Sequence, residues 1–466
     1  MAENIGDESI FLRLQQLKSG NVQFTDATNA RRLFDEHGKD IRYLAAWKKW
    51  IVWNGACWET DEGGALVHEK GLAMVRNIYN ELLKTDDPRE RIEIEKYAIV
   101  SESTRRRESL IKAAQWLNEL NIKPEALDAN PWALNVKNGT LDLDKGLFKK
   151  HRREDMITKC ANVEFDANAD CPLWKQFIRE IMDYKTELID FLQTAIGWAI
   201  TGDISEQLMF ILFGSGANGK STFLNTVMYI LGDYATATPT ETFMKKSNDQ
   251  STNDIARLRG IRFVTTTEAE QGRRLSEPLI KKITGNDQMT ARFLYGEYFN
   301  FTPTFKIFMA TNHKPLIKGT DHGIWRRIKL IPFTTRIEEE RQDKHLEQKL
   351  RGEASGILNW ILLGTEKWKR EGLKTPAAVL NATDEYKNEM DVIGIFIKEC
   401  CTQGAGVSIR IRELFKAYQE WCEQNNEHAV SERFLGLRLK EMGFEQTRTS
   451  EARFWVNLGL RTSSEQ

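Results

Sequence analysis

The chain has 466 residues, more than one hydrophobic core ordinarily serves, so several domains are expected. A composition of 41% hydrophobic and 29% charged residues excludes wholesale disorder and is that of a water-soluble globular protein. Lys+Arg at 66 against Asp+Glu at 67 leave a formal charge of -1, so any contact with DNA must rest on local patches and not on global basicity.

Taken in chain order, residues 1–40 carry acidic side chains and no apolar core of a signal peptide, and no later stretch reaches the roughly 18 uninterrupted apolar residues of a membrane span. A cytoplasmic location away from membranes is expected, and 1–40 reads as an N-terminal segment. Residues 41–170 read as an α+β accessory domain: tryptophan-rich strand text at Trp47–Trp53 and Cys57-Trp58, helical text from Ser101 to Leu120, and an Asn138-Gly139 turn between strand-like residues. The six cysteines (Cys57, Cys160, Cys171, Cys400, Cys401 and Cys422) form no Cys-x-x-Cys pair and lack histidines at metal spacing, which argues against a zinc ribbon and fits reduced thiols.

From Cys171 the text is helical through Trp174, Phe177, Ile181, Phe191 and Ile196, and then becomes the apolar run Leu208–Phe213. Further short apolar runs at Ile261–Val264 and Phe305–Ala310, with helical text between them, are what a parallel sheet with covering helices requires, so the middle of the chain reads as α/β. Beyond Ile331-Pro332-Phe333 the text is charged and helical to about Arg370. Residues 371–389, rich in small and polar side chains over about 371–386, read as a linker. Residues 390–466 read as helix, helix and wing strands, with Arg433, Arg438, Lys440, Arg448 and Arg453 as candidate duplex contacts. A protein-docking module is the alternative for this last segment.

The run Leu208–Phe213 feeds Gly214-Ser215-Gly216-Ala217-Asn218-Gly219-Lys220-Ser221, the G-x-x-x-x-G-K-S pattern, with a helix starting at Thr222. Strand, glycine loop and helix together are the context a P-loop needs, which sets the match apart from chance. The glycines let successive N–H groups point at phosphate oxygens, the helix adds its positive end, Lys220 reaches the β and γ phosphates of ATP, and the Ser221 hydroxyl serves Mg²⁺. Glu268 closes the strand text Arg262–Thr267 and is the candidate for positioning the attacking water and a candidate metal ligand, with Glu270 two residues on. Standing alone, Glu268 would read as a solvated loop carboxylate.

Lys281, Lys282, Arg292, Tyr295 and Tyr298 alternate cations and aromatics in turn-bearing text, the chemistry of contact with DNA phosphates and bases. An ordinary amphipathic element is the alternative. Asn312 follows the strand text Phe305–Ala310 and can hydrogen-bond a γ-phosphate or the attacking water, although in isolation it reads equally as a turn asparagine. Arg326 and Arg327 sit beside another strand, where an arginine finger is expected from one of them.

The order of these pieces resembles the superfamily 3 helicases, specifically the phage and plasmid primase-helicases related to the poxvirus primase-helicase, over about residues 40–460. Its carriers are Gly214–Ser221 as Walker A, Glu268–Gly272 as Walker B, Lys281–Tyr295 as the additional family motif, Thr311–Pro315 as sensor 1, and Trp325-Arg326-Arg327 as the finger region. The Asn135–Gly139 text resembles the family's accessory domain. The resemblance implies a P-loop AAA+ type motor (171–370), a winged-helix-like C-terminal domain, a hexameric ring that hydrolyses ATP with Mg²⁺ between subunits, and single-stranded DNA drawn through a pore past a hairpin carrying Arg292–Tyr298. Only 1–170 precede the motor, so a priming domain is not expected in this chain, and a primase or polymerase would act as a separate partner. The expected function is an ATP-dependent replicative helicase of a phage, plasmid or mobile element. An ATP-switched origin-binding or helicase-loading initiator stays open as the alternative, and a small-molecule kinase or GTPase leaves the arginine pair without a role.

Overall fold

The computed structural model describes residues 24–245, 253–267, 272–294, 296–319, 322–425, 427–450 and 452–461. The chain divides into two compact units, Met1–Phe165 and Asp166–Gln466.

In the first unit, α1 (Asp26–His37) starts where the Thr25 hydroxyl accepts from the Thr28 amide at 3.1 Å, a side-chain cap for a helix end that otherwise leaves donors unmet. Strands β1 (Ile41–Leu44), β2 (Lys49–Trp53) and β3 (Trp58–Thr60) form an antiparallel meander, in register with the tryptophan text. Helices α2 (Ala65–Asn77), α3 (Pro88–Ser101) and α4 (Thr104–Ala114) follow. Leu33, Ile41, Val67, Met74, Ile94, Leu110 and Ala114 meet in one core. A second meander comprises β4 (Ala133–Val136), β5 (Gly139–Asp142) and β6 (Leu147–Lys149). Val136 pairs with Gly139, so the two-residue turn is Lys137-Asn138, one position earlier than the expected Asn138-Gly139. The reason is Asn138: its side chain exchanges two 2.9 Å hydrogen bonds with the backbone of Phe165, which holds it in the turn.

The second unit opens with α5 (Pro172–Ile181) and α6 (Thr186–Ala199), followed by β7 (Met209–Phe213). After the glycine loop come α7 (Lys220–Leu231), β8 (Ala235–Ala237), α8 (Asn253–Ala256), β9 (Phe263–Thr267), α9 (Glu277–Thr284) and a hairpin of β10 (Met289–Ala291) and β11 (Phe299–Phe301). Strand β12 (Lys306–Thr311), α10 (His322–Trp325) and β13 (Ile328–Pro332) complete the α/β part. The five strands pair in parallel in the order β13-β7-β12-β9-β8. Burial on both faces explains the continuous apolar runs. On one face Phe210, Phe263 and Phe308 stack at 4.6 Å centroid spacing, with Phe191 and Trp198 of α6 against Phe210. On the other face Met209, Ile211, Val264, Ile307 and Met309 join Ile280 and Ile283 of α9.

Helices α11 (Leu346–Arg351) and α12 (Ala354–Glu371) lead on. Where a linker is expected the chain forms α13 (Ala377–Met390). Val379, Thr383 and Tyr386, at helical spacing, are its buried stripe. The Thr383 hydroxyl accepts from the Leu330 amide of β13 at 3.0 Å, and the Tyr386 hydroxyl donates to the Pro315 carbonyl. Alanine, here Ala377, Ala378 and Ala382, is the best helix former, and composition alone does not separate such a helix from a linker. The chain closes with α14 (Val392–Cys400), β14 (Cys401–Arg410), α15 (Ile411–Gln424), α16 (Glu432–Glu441), β15 (Glu445–Arg448) and β16 (Arg453–Leu460). The last three strands form a sheet in the order β14-β16-β15 around Trp455 and Leu458.

Candidate functional site

Parallel pairing lines up the ends of three adjacent strands. Phe213 of β7 pairs with Thr311 of β12, and Ala310 of β12 pairs with Thr267 of β9. The glycine loop, Asn312 and the chain leaving β9 therefore emerge at one carboxyl edge, where open α/β sheets bind ligands. Glu268 and Glu270 are beyond Thr267 and lie outside the described residues, as does Tyr295.

Gly216 (φ 97°), Ala217 (φ 48°) and Gly219 (φ 80°) all take left-handed backbone, which coils Gly214–Gly219 into a concave loop. A side chain at Gly219 would also meet Ile181 of α5 at 2.5 Å, so this position needs glycine for both reasons. Ala217 has no such exemption from the steric cost. Its carbonyl accepts from the Ile337 amide at 2.7 Å, and the Asn218 side chain donates to the Phe333 carbonyl at 3.3 Å. The segment after β13 thus ties the loop down, a feature the sequence motif does not contain.

Gly219 gives α7 no side-chain cap, so the helix opens with unmet amide donors at the loop. Lys220 is only 6% exposed. Its ammonium donates to the Gly214 carbonyl at 2.7 Å, to Asn218 Oδ1 at 3.0 Å and to Asn312 Oδ1 at 3.1 Å. Residues 92 positions apart in sequence, Lys220 and Asn312, are thereby brought together. Gly216 to Thr222 and Ala310 to Asn312 line a cavity of about 320 Å³. Ser215, Ser221 and Thr222 have no buried side chain, and Ser221 is exposed at the cavity. Amide donors at a helix start, a shielded ammonium and a hydroxyl in one concavity suit an anion such as a phosphate chain.

The arginine pair separates. Arg326 is exposed and donates to Gln207 Oε1 at 2.9 Å. Arg327 is buried, donating to Thr284 Oγ1 at 3.0 Å and to the Gly323 carbonyl at 2.6 Å. Gln207, which receives both guanidinium groups, carried no signal in sequence.

Lys281 and Lys282 lie in the last turn of α9, and the hairpin that follows buries Met289, Ala291 and Phe301 in its strands and exposes its tip. At its tip the Arg292 guanidinium lies 4.9 Å from the centre of the Tyr298 ring, and Tyr298 is 62% exposed. Phe293 stacks on Phe299 at 5.4 Å, which stiffens the turn. In the C-terminal module Arg438 pairs with Asp391 and Glu441, both at 3.1 Å, so its charge is met internally. Among the described residues no helix is long and apolar enough to cross a membrane, and no group of acidic, histidine and cysteine side chains is arranged to hold a metal ion unaided.

Residues 30–183 match the family described as D5 N terminal like, residues 388–460 the family described as Poxvirus D5 protein-like, and residues 212–327 a family of unknown function, DUF5906. A mimivirus protein named "Putative helicase L207/L206" (Acanthamoeba polyphaga mimivirus) is 29% identical over 324 residues, 64% of this chain and 34% of that one. One named "Putative helicase 022R" from Frog virus 3 (isolate Goorha) is 26% identical over 271 residues, 54% of this chain and 28% of that one. One named "Putative primase C962R" from African swine fever virus (isolate Tick/Malawi/Lil 20-1/1983) is 24% identical over 378 residues, 75% of this chain and 38% of that one. The matches thus span about a third of the length of these relatives. The solved apo structure of the NrS-1 C terminal region, A form, aligns over 90% of this chain and 96% of that one at 9% identity, with a TM-score of 0.48. D5-type matches in both its N-terminal and C-terminal parts, together with helicase- and primase-named relatives in large DNA viruses, support a poxvirus-like primase-helicase family for this chain.

Proposed function

We propose that this chain is the ATP-driven motor of a DNA replication helicase, a P-loop AAA+ type domain followed by a winged-helix-like module, that works as a ring on single-stranded DNA. The observation that carries the reading is the meeting of Lys220, Asn218 and Asn312 at the edge where β7, β12 and β9 end. The helix–strand–helix–helix–strand–strand order of the C-terminal module supports the winged-helix part.

In this reading the amides of Gly216–Lys220 bind the β-phosphate, and Lys220 follows the γ-phosphoryl group as charge shifts onto the leaving oxygen. Asn312 orients the attacking water, and Glu268, with Glu270 beside it, takes its proton. Mg²⁺, when bound, neutralises phosphate charge, and Ser221 and Glu268 are the residues for it. Arg326, exposed and loosely held by Gln207, is the finger offered to the next subunit, whereas Arg327 is fixed inside its own. The tip of the β10–β11 hairpin, with Arg292 and Tyr298, touches the DNA strand.

The test is steady-state ATP hydrolysis with and without single-stranded DNA, for the unaltered protein and Lys220→Ala, with assembly followed by mass photometry. Strong stimulation by DNA in a ring, lost in Lys220→Ala, is expected. Hydrolysis indifferent to DNA by a monomer would overturn the motor and favour a nucleotide switch.

A further inference from the structure

Helix α4 in the first unit buries Leu110, Ile111 and Ala114. At 100° per residue, Arg105, Ser109, Lys112 and Trp116 fall within a narrow arc directly opposite that buried face. Trp116 lies in the tighter turn just past the helix end, where its amide donates to the Ala113 carbonyl three residues back at 3.1 Å, so it sits near the C-terminal end of the row. The indole is 80% exposed. An exposed tryptophan forgoes its burial, which is unusual for the side chain that gains most from being covered.

The charges around this row are sorted. Arg106 pairs with Asp26 at 3.3 Å, and Arg107 donates to the Glu102 carbonyl at 3.2 Å. Glu119, the carboxylate nearest to Trp116 in sequence, is bound by the Arg31 guanidinium, which holds it below the usual carboxylate range. Arg105 and Lys112 have no ion-pair partner among the described residues. One carboxylate, Glu108, flanks them on the helix. The row therefore presents two uncommitted cations about 10 Å apart along the axis and a flat aromatic about 6 Å further on.

We propose that the Arg105–Lys112–Trp116 row is a second binding surface for single-stranded nucleic acid, separate from the motor's hairpin. The cations neutralise backbone phosphates and Trp116 stacks on a base, without sequence preference. An acidic protein surface could also use both the cations and the indole, and the oligonucleotide measurement separates the two. The proposal goes beyond the motor reading and does not depend on ATP.

The experiment measures binding of fluorescein-labelled oligo(dT) by anisotropy across a salt series, on the full chain without nucleotide. Unaltered protein is compared with R105Q/K112Q, W116A, W116F and the hairpin variant Y298A, each checked by thermal melting. The expected result for R105Q/K112Q is weaker binding and a slope of log affinity against log salt shallower by about 1.4, from roughly 0.7 per phosphate contact on a single strand. W116A weakens binding by at least about fivefold and W116F restores most of it, because stacking needs the ring and not the indole N–H. If the row variants bind as the unaltered protein does while Y298A binds more weakly, the row is not a nucleic-acid surface and the motor reading stands. If the unaltered protein does not bind the oligonucleotide without nucleotide, the row proposal falls, and the motor reading is decided separately by its DNA-stimulated ATPase test. A row whose variants change only the retention of an acidic protein partner would also overturn the proposal.

Discussion

A guanidinium withdrawn from water needs acceptors for its donors, and Arg327 has them in Thr284 and Gly323. Replacing it with alanine should lower the unfolding temperature, by the equivalent of about 3 kcal/mol, through lost packing and orphaned acceptors. Arg326→Ala should melt like the unaltered protein yet lose at least about 10³-fold in ATP turnover. Equal losses of stability in the two variants, measured by calorimetry beside the ATPase assay, would remove the distinction. Sequence named both arginines and could not separate them, because burial of one depends on α9 and α10, which approach only in the folded chain. A second residue-level case is Lys306, 1% exposed, whose side-chain nitrogen donates to the Thr201 carbonyl at 2.6 Å and the Thr304 carbonyl at 3.2 Å. Burial, then the nearby Arg262 charge, push its pKa far below the usual lysine value. The unfolded chain therefore binds more protons between the two values, so stability rises with pH across that window. Lys306→Met, of similar volume, should melt no lower at neutral pH and should flatten the rise toward alkaline pH. A marked loss with an unchanged pH slope would contradict this account.

Among the elements, α9 is gripped at both ends by the segment that runs from Asn312 to Arg327. At its start Glu277 accepts from the amides of Lys318 at 3.1 Å and Gly319 at 3.0 Å, and at its end Thr284 holds Arg327. The helix then passes directly into the β10–β11 hairpin. In the proposed motor, a displacement of the hairpin by DNA would reach, through these hydrogen bonds, the segment that follows Asn312. Thr284→Val keeps the shape and removes the acceptor. It should leave basal ATP hydrolysis within about twofold and abolish most of the DNA stimulation, while Thr284→Ser restores it. Unchanged stimulation in Thr284→Val would rule out this route. The glycine loop, its strand and its helix were legible because each has a local signature. The grip on α9, the tether from Phe333 and Ile337 to the loop, and the edge strand β8 were not, since they are long-range pairings between residues ordinary in their own contexts.

For the whole molecule, a finger that leaves its own subunit predicts a site completed by a neighbour. ATP turnover per chain should then rise with protein concentration and level off where mass photometry shows rings. Turnover that stays constant across dissociation would mean that each chain hydrolyses alone. The accessory unit has its own core, drawn from α1–α4, β1 and β2.

The strand order has a consequence for how the protein is made. Strand β7, buried on both faces, is completed at Phe213, yet its two neighbours are β12 at Lys306–Thr311 and β13 at Ile328–Pro332. During synthesis the most apolar strand of the sheet leaves the ribosome with both edges unpaired, and it waits for roughly a hundred further residues to arrive. At about 5–20 residues per second that is an interval of several seconds to some twenty. Over that interval an exposed strand edge invites association with other nascent chains. The glycine loop cannot be formed on a finished platform until translation has passed Pro332, so a cell making this protein quickly would draw heavily on chaperones that shield β7.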